Sequence, residues 1–343
     1  MNRTLSQPAQ PTQPTRGQRP RRRWIQASRR QRLRWWGEAL LLRLLLALLR
    51  GRRHGAIQRG IRWVVQLGRP ALGRRLATAE ANLERVYGDG LTPLQRRRLA
   101  QRSLESFFLS CLESIIEPVA PGRIHAEGEG LTPLLAPRCR DQGVIVGSLH
   151  LGCWDLGLRW LSEHLDRLAV IYRPAHNPQA DRLLNAARSA NSHCRWISQF
   201  DVRAILEWLR QGGALVVMTD LYGGRNPLPV EVLGLSTHVL RTPLALSQKI
   251  NAPLYPVAHV READGRFRLI FGRPLAPAPG VEGLQQQAQA LADWQEPLIQ
   301  AYAEQYYWIQ RRWRPGDGSG NRLRPPLAPS PRALAAAARA GGR

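Results

Sequence analysis

From about residue 122 onward, short apolar runs rich in β-branched residues alternate with stretches whose apolar positions recur at helical spacing. This alternation constrains the fold more than any other feature of the chain. Strands are predicted over 143–149, 168–172, 214–219, 253–260 and 266–271, and helices over 155–165, 178–190, 201–211 and 239–250. Strand–helix–strand units close into parallel sheets covered by helices, so the expected fold class is α/β with a mostly parallel central sheet. Ligands of such sheets bind beyond the carboxyl ends of the strands. His150, Tyr172 with Arg173, and Asp220 all fall at predicted strand ends, so the topology can bring them to one pocket.

The segment Ser148 to Asp155 (SLHLGCWD) stands at one such junction, with His150 ending a strand and Asp155 opening a helix. Gly152 between them lets the turn approach a substrate closely, and the first helical turn exposes amides without helical partners. An imidazole whose far nitrogen donates to a carboxylate is held in one tautomer, and its free nitrogen can take a proton from a hydroxyl. On this reading His150 is a general base and Asp155 orients it. As an isolated motif the pair has an equally simple reading, with Asp155 an ordinary helix cap. Cys153, between Gly152 and Trp154, reads as a small packing residue rather than a nucleophile.

The remaining composition bears on location. The formal charge is +25, and residues 1–60 contribute fifteen Arg against one acid, Glu38. A concentrated basic segment favours anionic partners. Between its Arg clusters lies an apolar run over 35–49, too short at about 22 Å to cross a hydrocarbon core of about 30 Å. Arg43 interrupts the run, both flanks are basic, and Trp24, Trp35 and Trp36 are suited to headgroup depth, so the helix is expected to lie in the interface of an anionic membrane. No signal peptide is evident, and four cysteines (Cys111, Cys139, Cys153, Cys194) without paired spacing point to a reduced, cytosol-facing protein.

The chain divides into a disordered basic tail (1–20), a helical membrane-associated region (21–118), an α/β domain (119–315) and a second disordered tail (316–343) rich in Gly, Pro, Ala and Arg. In the helical region Leu104, Phe107, Phe108, Cys111, Leu112, Ile115 and Ile116 share one face, and Thr92-Pro-Leu-Gln95 has the form of a capping box with Pro at the first helical position.

Four blocks, in order, carry a family resemblance: His150-Leu-Gly-Cys-Trp-Asp155, Tyr172-Arg-Pro-Ala-His-Asn-Pro178, Thr219-Asp-Leu-Tyr-Gly223, and Glu304-Gln-Tyr-Tyr-Trp-Ile-Gln-Arg-Arg-Trp313. With Ala81-Asn-Leu-Glu-Arg-Val-Tyr87 ahead of them, the chain resembles the bacterial lipid A biosynthesis lauroyl/myristoyl acyltransferases over roughly residues 35–315. The resemblance implies an enzyme at the cytoplasmic face of a bacterial inner membrane. It implies a thioester donor, acyl-carrier protein or acyl-CoA, and a glycolipid acceptor, with no metal or other cofactor. His150 matches the family's general base, Asp155 its acidic partner, and Arg173, Arg188 and Asp220 further polar positions at the substrate site, beside Gly152. Arg173 suits a phosphate of substrate or carrier, because forked guanidinium donors match phosphate oxygens. The chain departs from the family in carrying Asp155 where Glu is more usual, the choice found in glycerophospholipid acyltransferases.

The expected function is transfer of an acyl group from a thioester to a hydroxyl of a lipid A-type precursor. A glycerophospholipid or mannoside acyltransferase is the alternative within enzymes. A basic membrane- or nucleic-acid-binding protein without catalysis is the alternative outside them. Nucleic acid is disfavoured, because the charge lies in tails and beside an apolar helix and no binding motif is present.

Overall fold

The computed structural model describes residues 27–49, 54–116, 122–136, 143–189, 192–223, 226–313 and 319–338. The expected tail at 1–20, Trp24 and Cys139 lie outside them. Four helices come first: α1 (Arg29–Leu49), α2 (His54–Leu67), α3 (Arg69–Tyr87) and α4 (Pro93–Ile116). The capping box opens α4 as the sequence predicts, with Thr92 N–H donating to Gln95 Oε1 (2.8 Å) and Gln95 N–H to Thr92 Oγ1 (3.3 Å).

The sheet domain follows as β1 (Ile124–Glu127), α5 (Leu131–Leu135), β2 (Val144–Ser148), α6 (Trp154–His164), β3 (Leu168–Tyr172), α7 (Pro178–Ser189) and β4 (Cys194–Ser198). It continues through α8 (Val202–Arg210), β5 (Ala214–Met218), the hairpin β6 (Leu228–Val232) and β7 (Leu235–Val239), and α9 (Thr242–Ile250). It closes with β8 (Leu254–Arg261), β9 (Phe267–Phe271), α10 (Gly280–Ala301) and α11 (Pro331–Ala338). Seven strands form one sheet in the order β1-β9-β8-β2-β5-β3-β4, and β6 and β7 pair separately. All neighbours in the large sheet are parallel except β8 and β9. The protein is therefore α/β with a mostly parallel central sheet, preceded by a helical region.

β2 and β8 lie at the centre and are buried at every position, which is why both read as nearly continuous apolar runs. The polar exceptions on β8 are informative. Burial pushes the His259 imidazole down to about 3, so it stays neutral and its Nε2 meets Ser148 Oγ at 3.1 Å. Gly157 of α6 lies directly over that ring: a Cβ there would fall 1.9 Å from His259 Nδ1. This absence of a side chain sets how closely α6 approaches the sheet.

The reading of a disordered tail from 316 does not hold for residues 319–338. Leu327 N–H donates to Val86 O (3.0 Å), Arg324 pairs with Glu296 (2.8 Å) and Arg332 with Glu304 (2.6 Å). Ala333 and Ala337 are buried in α11, which packs on α4. The composition resembles a solvated tail, but its prolines suit an extended strap, its alanines allow close helix packing and its arginines find carboxylates.

The apolar run of the amino-terminal region forms α1. Only Trp35 and Ala39 of this helix are buried, while Leu33, Trp36, Leu40, Leu41, Leu44, Leu45 and Leu48 are exposed. Asn177, at the head of α7, fixes α1 to the sheet domain by donating to Trp35 O (2.9 Å) and Glu38 Oε2 (3.0 Å). On α2, Trp63, Val64 and Leu67 are exposed as well. No described helix is long and apolar enough to cross a membrane.

Candidate active site

β2 and β5 are adjacent and parallel, with Ser148 opposite Met218. His150 and Asp220 each stand two residues beyond that register pair, so they emerge side by side at the carboxyl ends of the two strands. Thr219 extends the ladder, its N–H donating to Ser148 O at 2.7 Å. Asp220 then receives the histidine twice. His150 Nδ1 lies 2.9 Å from Asp220 Oδ1, and the His150 backbone N–H donates to Oδ2 at 3.0 Å. Both carboxylate oxygens are thus acceptors, which sets the ring tautomer with its proton on Nδ1 and leaves Nε2 to accept one.

Asp220 is fully buried. Burial pushes its carboxyl up, but the adjoining His150 ring and the Arg312 guanidinium outweigh burial and hold it below its ordinary value. It therefore remains anionic at neutral pH. Tyr307 lies at 5.3 Å from the His150 ring and Trp154 meets it edge-on at 5.4 Å, while Phe107 of α4 touches both aromatics. This wall limits water around the imidazole but leaves it partly accessible.

Two acids stand in contacts other than those expected. Asp220, expected at the substrate site, is the carboxylate on the His150 ring. Asp155, expected to orient His150, lies in the first turn of α6 with its carboxylate 3.2 Å from Arg188 Nη2. Arg188 is in turn stacked over Trp196, with its guanidinium carbon 5.2 Å from the ring. The reason is register: parallel pairing of β2 with β5 brings Asp220 to the ring, while the turn at 151–153 carries Asp155 toward α7. Arg173 is exposed just past the end of β3.

Gly152 packs closely on the sheet. Its φ is +64°, and a Cβ would meet His259 O at 1.9 Å, so the residue accommodates the backbone of β8. The turn is held from three sides. Tyr307 N–H donates to His150 O (3.0 Å) and Gly152 N–H to Gln305 O (3.1 Å). Arg261, at the end of β8, donates through Nη2 to Gly152 O (3.2 Å), and the Ser110 hydroxyl donates to the same oxygen.

Arg261 is the centre of a buried network that sequence reading missed. It forms a two-pronged pair with Glu113 of α4 (2.6 and 2.8 Å) and donates to the hydroxyls of Ser106 (2.8 Å) and Ser110 (2.6 Å). A signal did exist: Ser106, Ser110 and Glu113 recur at intervals of four and three on one side of α4, a polar stripe beside the apolar one. The carboxyl-terminal block is likewise interior. Trp308, Arg312 and Trp313 are buried, and Gln310 Nε2 donates to Asp220 O at 3.1 Å. Cys153 is buried and its thiol is pushed up by that burial, which agrees with a packing role.

A polarised imidazole, a fixed carboxylate and the amino end of a helix form a device for activating a hydroxyl beside a developing negative charge. Comparison with known proteins bears on which chemistry uses it. At 24% identity over 246 residues, the chain is similar to the lipid A biosynthesis lauroyltransferase of Escherichia coli (strain K12), covering 70% of this chain and 79% of that protein. The family described as bacterial lipid A biosynthesis acyltransferase matches residues 26–315, and by that match the chain belongs to it.

Proposed function

We propose that the protein moves a fatty acyl group from a thioester, carried by an acidic acyl-carrier protein or by CoA, to a hydroxyl of a lipid A-type glycolipid precursor. The observation that carries this reading is the His150–Asp220 pair at the adjoining ends of β2 and β5. His150 Nε2 takes the proton of the acceptor hydroxyl as its oxygen attacks the thioester carbonyl. The resulting oxyanion is stabilised by the leading amides and dipole of α6. When the carbon–sulfur bond breaks, the imidazolium returns the proton to the departing thiolate, so the products are an ester and a free thiol. Asp220 stabilises the transient imidazolium, and Asp155 with Arg188 fixes the helix start beside it. Exposed Arg173 suits a phosphorylated headgroup or the phosphopantetheine arm.

The test supplies the purified protein with labelled acyl-carrier protein and total bacterial lipid and identifies the acylated product by mass spectrometry. Label in a lipid A precursor is the expected result; label confined to phosphatidic acid contradicts the reading.

The site works at a membrane surface in this reading. The exposed leucines and Trp36 of α1, together with Trp63, Val64 and Leu67 of α2, give apolar faces flanked by arginines. Such helices insert shallowly and gain about 1 kcal/mol per nearby Arg on an anionic leaflet. The protein is expected to float with phosphatidylglycerol vesicles, less so at 1 M salt, and to lose flotation when Leu41, Leu44 and Leu48 are replaced by Ser. Undiminished flotation of that variant rules out α1 as the contact.

A further inference from the structure

Arg312 is 1% exposed, and its guanidinium forms no ion pair among the described residues. Nη1 donates to the Tyr306 hydroxyl, and the guanidinium lies 6.0 Å from the Tyr306 ring and 5.9 Å from that of Trp313. Nε and Nη2 meet no hydrogen-bond partner. A guanidinium buried this way is costly, because water is removed and little replaces it. Its neighbourhood suggests why the cost is tolerated. The Arg312 N–H donates to Gln310 O (3.0 Å), Gln310 holds Asp220 O, and Leu151, next to His150, bridges to Tyr306. The block 306–312 thus packs around both members of the pair, with Gln310 on the Asp220 backbone and Tyr307 beside the His150 ring.

Resting on the acyl-transfer reading of His150, we infer that Arg312 is a positioning residue of the site: a buried fixed charge that keeps Asp220 anionic and locked onto His150. Against burial, which raises the Asp220 carboxyl, only the His150 ring and Arg312 supply opposing charge among its main influences. The other groups facing the pair do not substitute for it. Tyr306 and Tyr307 are kept protonated by burial, as is Cys111, whose thiol is pushed up to about 12. Arg75 of α3 acts on Tyr307, and Arg188 is engaged with Asp155. A neutral side chain at 312 removes the positive charge that opposes the burial of Asp220, so the acid limb of activity moves upward in pH.

The test compares Arg312→Gln with Arg312→Lys in the full-length protein, using two readouts. One is the pH profile of kcat/KM for acyl transfer. The other is NMR titration of labelled histidine, with the relevant ring signal identified by its loss in His150→Ala. Arg312→Gln is expected to move both upward by about one pH unit, a tenfold change in proton affinity, while Arg312→Lys restores most of the shift. An unmoved titration in Arg312→Gln, or equal shifts in the Gln and Lys variants, overturns the inference. Should Arg312→Gln not fold, Tyr306→Phe frees the guanidinium from its anchor and is expected to shift both readouts in the same direction; no shift there overturns it equally. Absence of transfer by the wild type would instead remove the acyl-transfer reading, and the histidine titration would still decide the role of Arg312.

Discussion

Replacing Asp220 by Asn is expected to lower the turnover of acyl transfer by about 10²–10⁴-fold, the range of a well-placed general base, in a protein that still folds. The direction follows from two hydrogen bonds. Asp220 Oδ1 faces His150 Nδ1 and Oδ2 faces the His150 backbone N–H. Asn offers one acceptor, and the backbone N–H can only donate, so the amide oxygen turns to it and the NH₂ group faces the ring. The ring then accepts at Nδ1 and carries its proton on Nε2, where it cannot receive one from a hydroxyl. A pH effect accompanies this. Because the Asp220 carboxyl is lowered in the folded protein, its ionised form contributes stability that is present above the ordinary carboxylate range and lost as pH falls through the lowered value. Asp220→Asn is expected to flatten that part of the acid denaturation curve. A variant with wild-type turnover shows that Asp220 does not orient the base.

Arg261→Met is expected to destabilise the protein by about 3–5 kcal/mol, because it removes the two-pronged guanidinium pair from a buried carboxylate. For a chain of this size each kcal/mol corresponds to about 1–2 °C in Tm, so thermal unfolding reads the effect directly. The double variant Arg261→Met with Glu113→Leu removes both charges and is expected to recover much of the stability, since apolar side chains often replace buried pairs at little cost. Its activity is expected to stay low. Gly152 O has lost its Arg261 donor, and the turn carrying His150 is less well held. Full recovery of both quantities would make the network purely structural, and an undestabilised single variant would show that the pair contributes little.

How much of this was legible in the sequence depends on the distance over which each feature is determined. The strand ending near Leu149 and the helix opening near Asp155 are set by local periodicity, and both appear within a residue of their expected limits. Leu168–Tyr172 appears as expected for the same reason. Which carboxylate meets His150 is not local. It depends on β5 lying beside β2, a neighbour relation that skips two strands and that no spacing along the chain encodes. Proximity in sequence therefore favoured Asp155, while the sheet supplied Asp220.

The hairpin β6–β7 shows a different limit. Its strands alternate in burial, but the turn is Leu233-Gly234, both at positive φ, rather than the Asn-Gly or Asp-Gly that marks such turns. Residues 319–338 illustrate a third, since composition alone does not distinguish a free arginine from one with a carboxylate waiting in α10 or near its end. Family resemblance flagged Glu304–Trp313 as a block, yet its use became visible only in three dimensions: it closes around the turn at 150–152 and around Asp220.

The most direct test of the central claim is the rate of ester formation from labelled acyl-carrier protein and a lipid A precursor, by the wild type and by His150→Ala, at equal amounts of folded protein. Ester formed by the wild type and reduced at least about 10²-fold in the variant is the expected result; equal rates in the two proteins would contradict it.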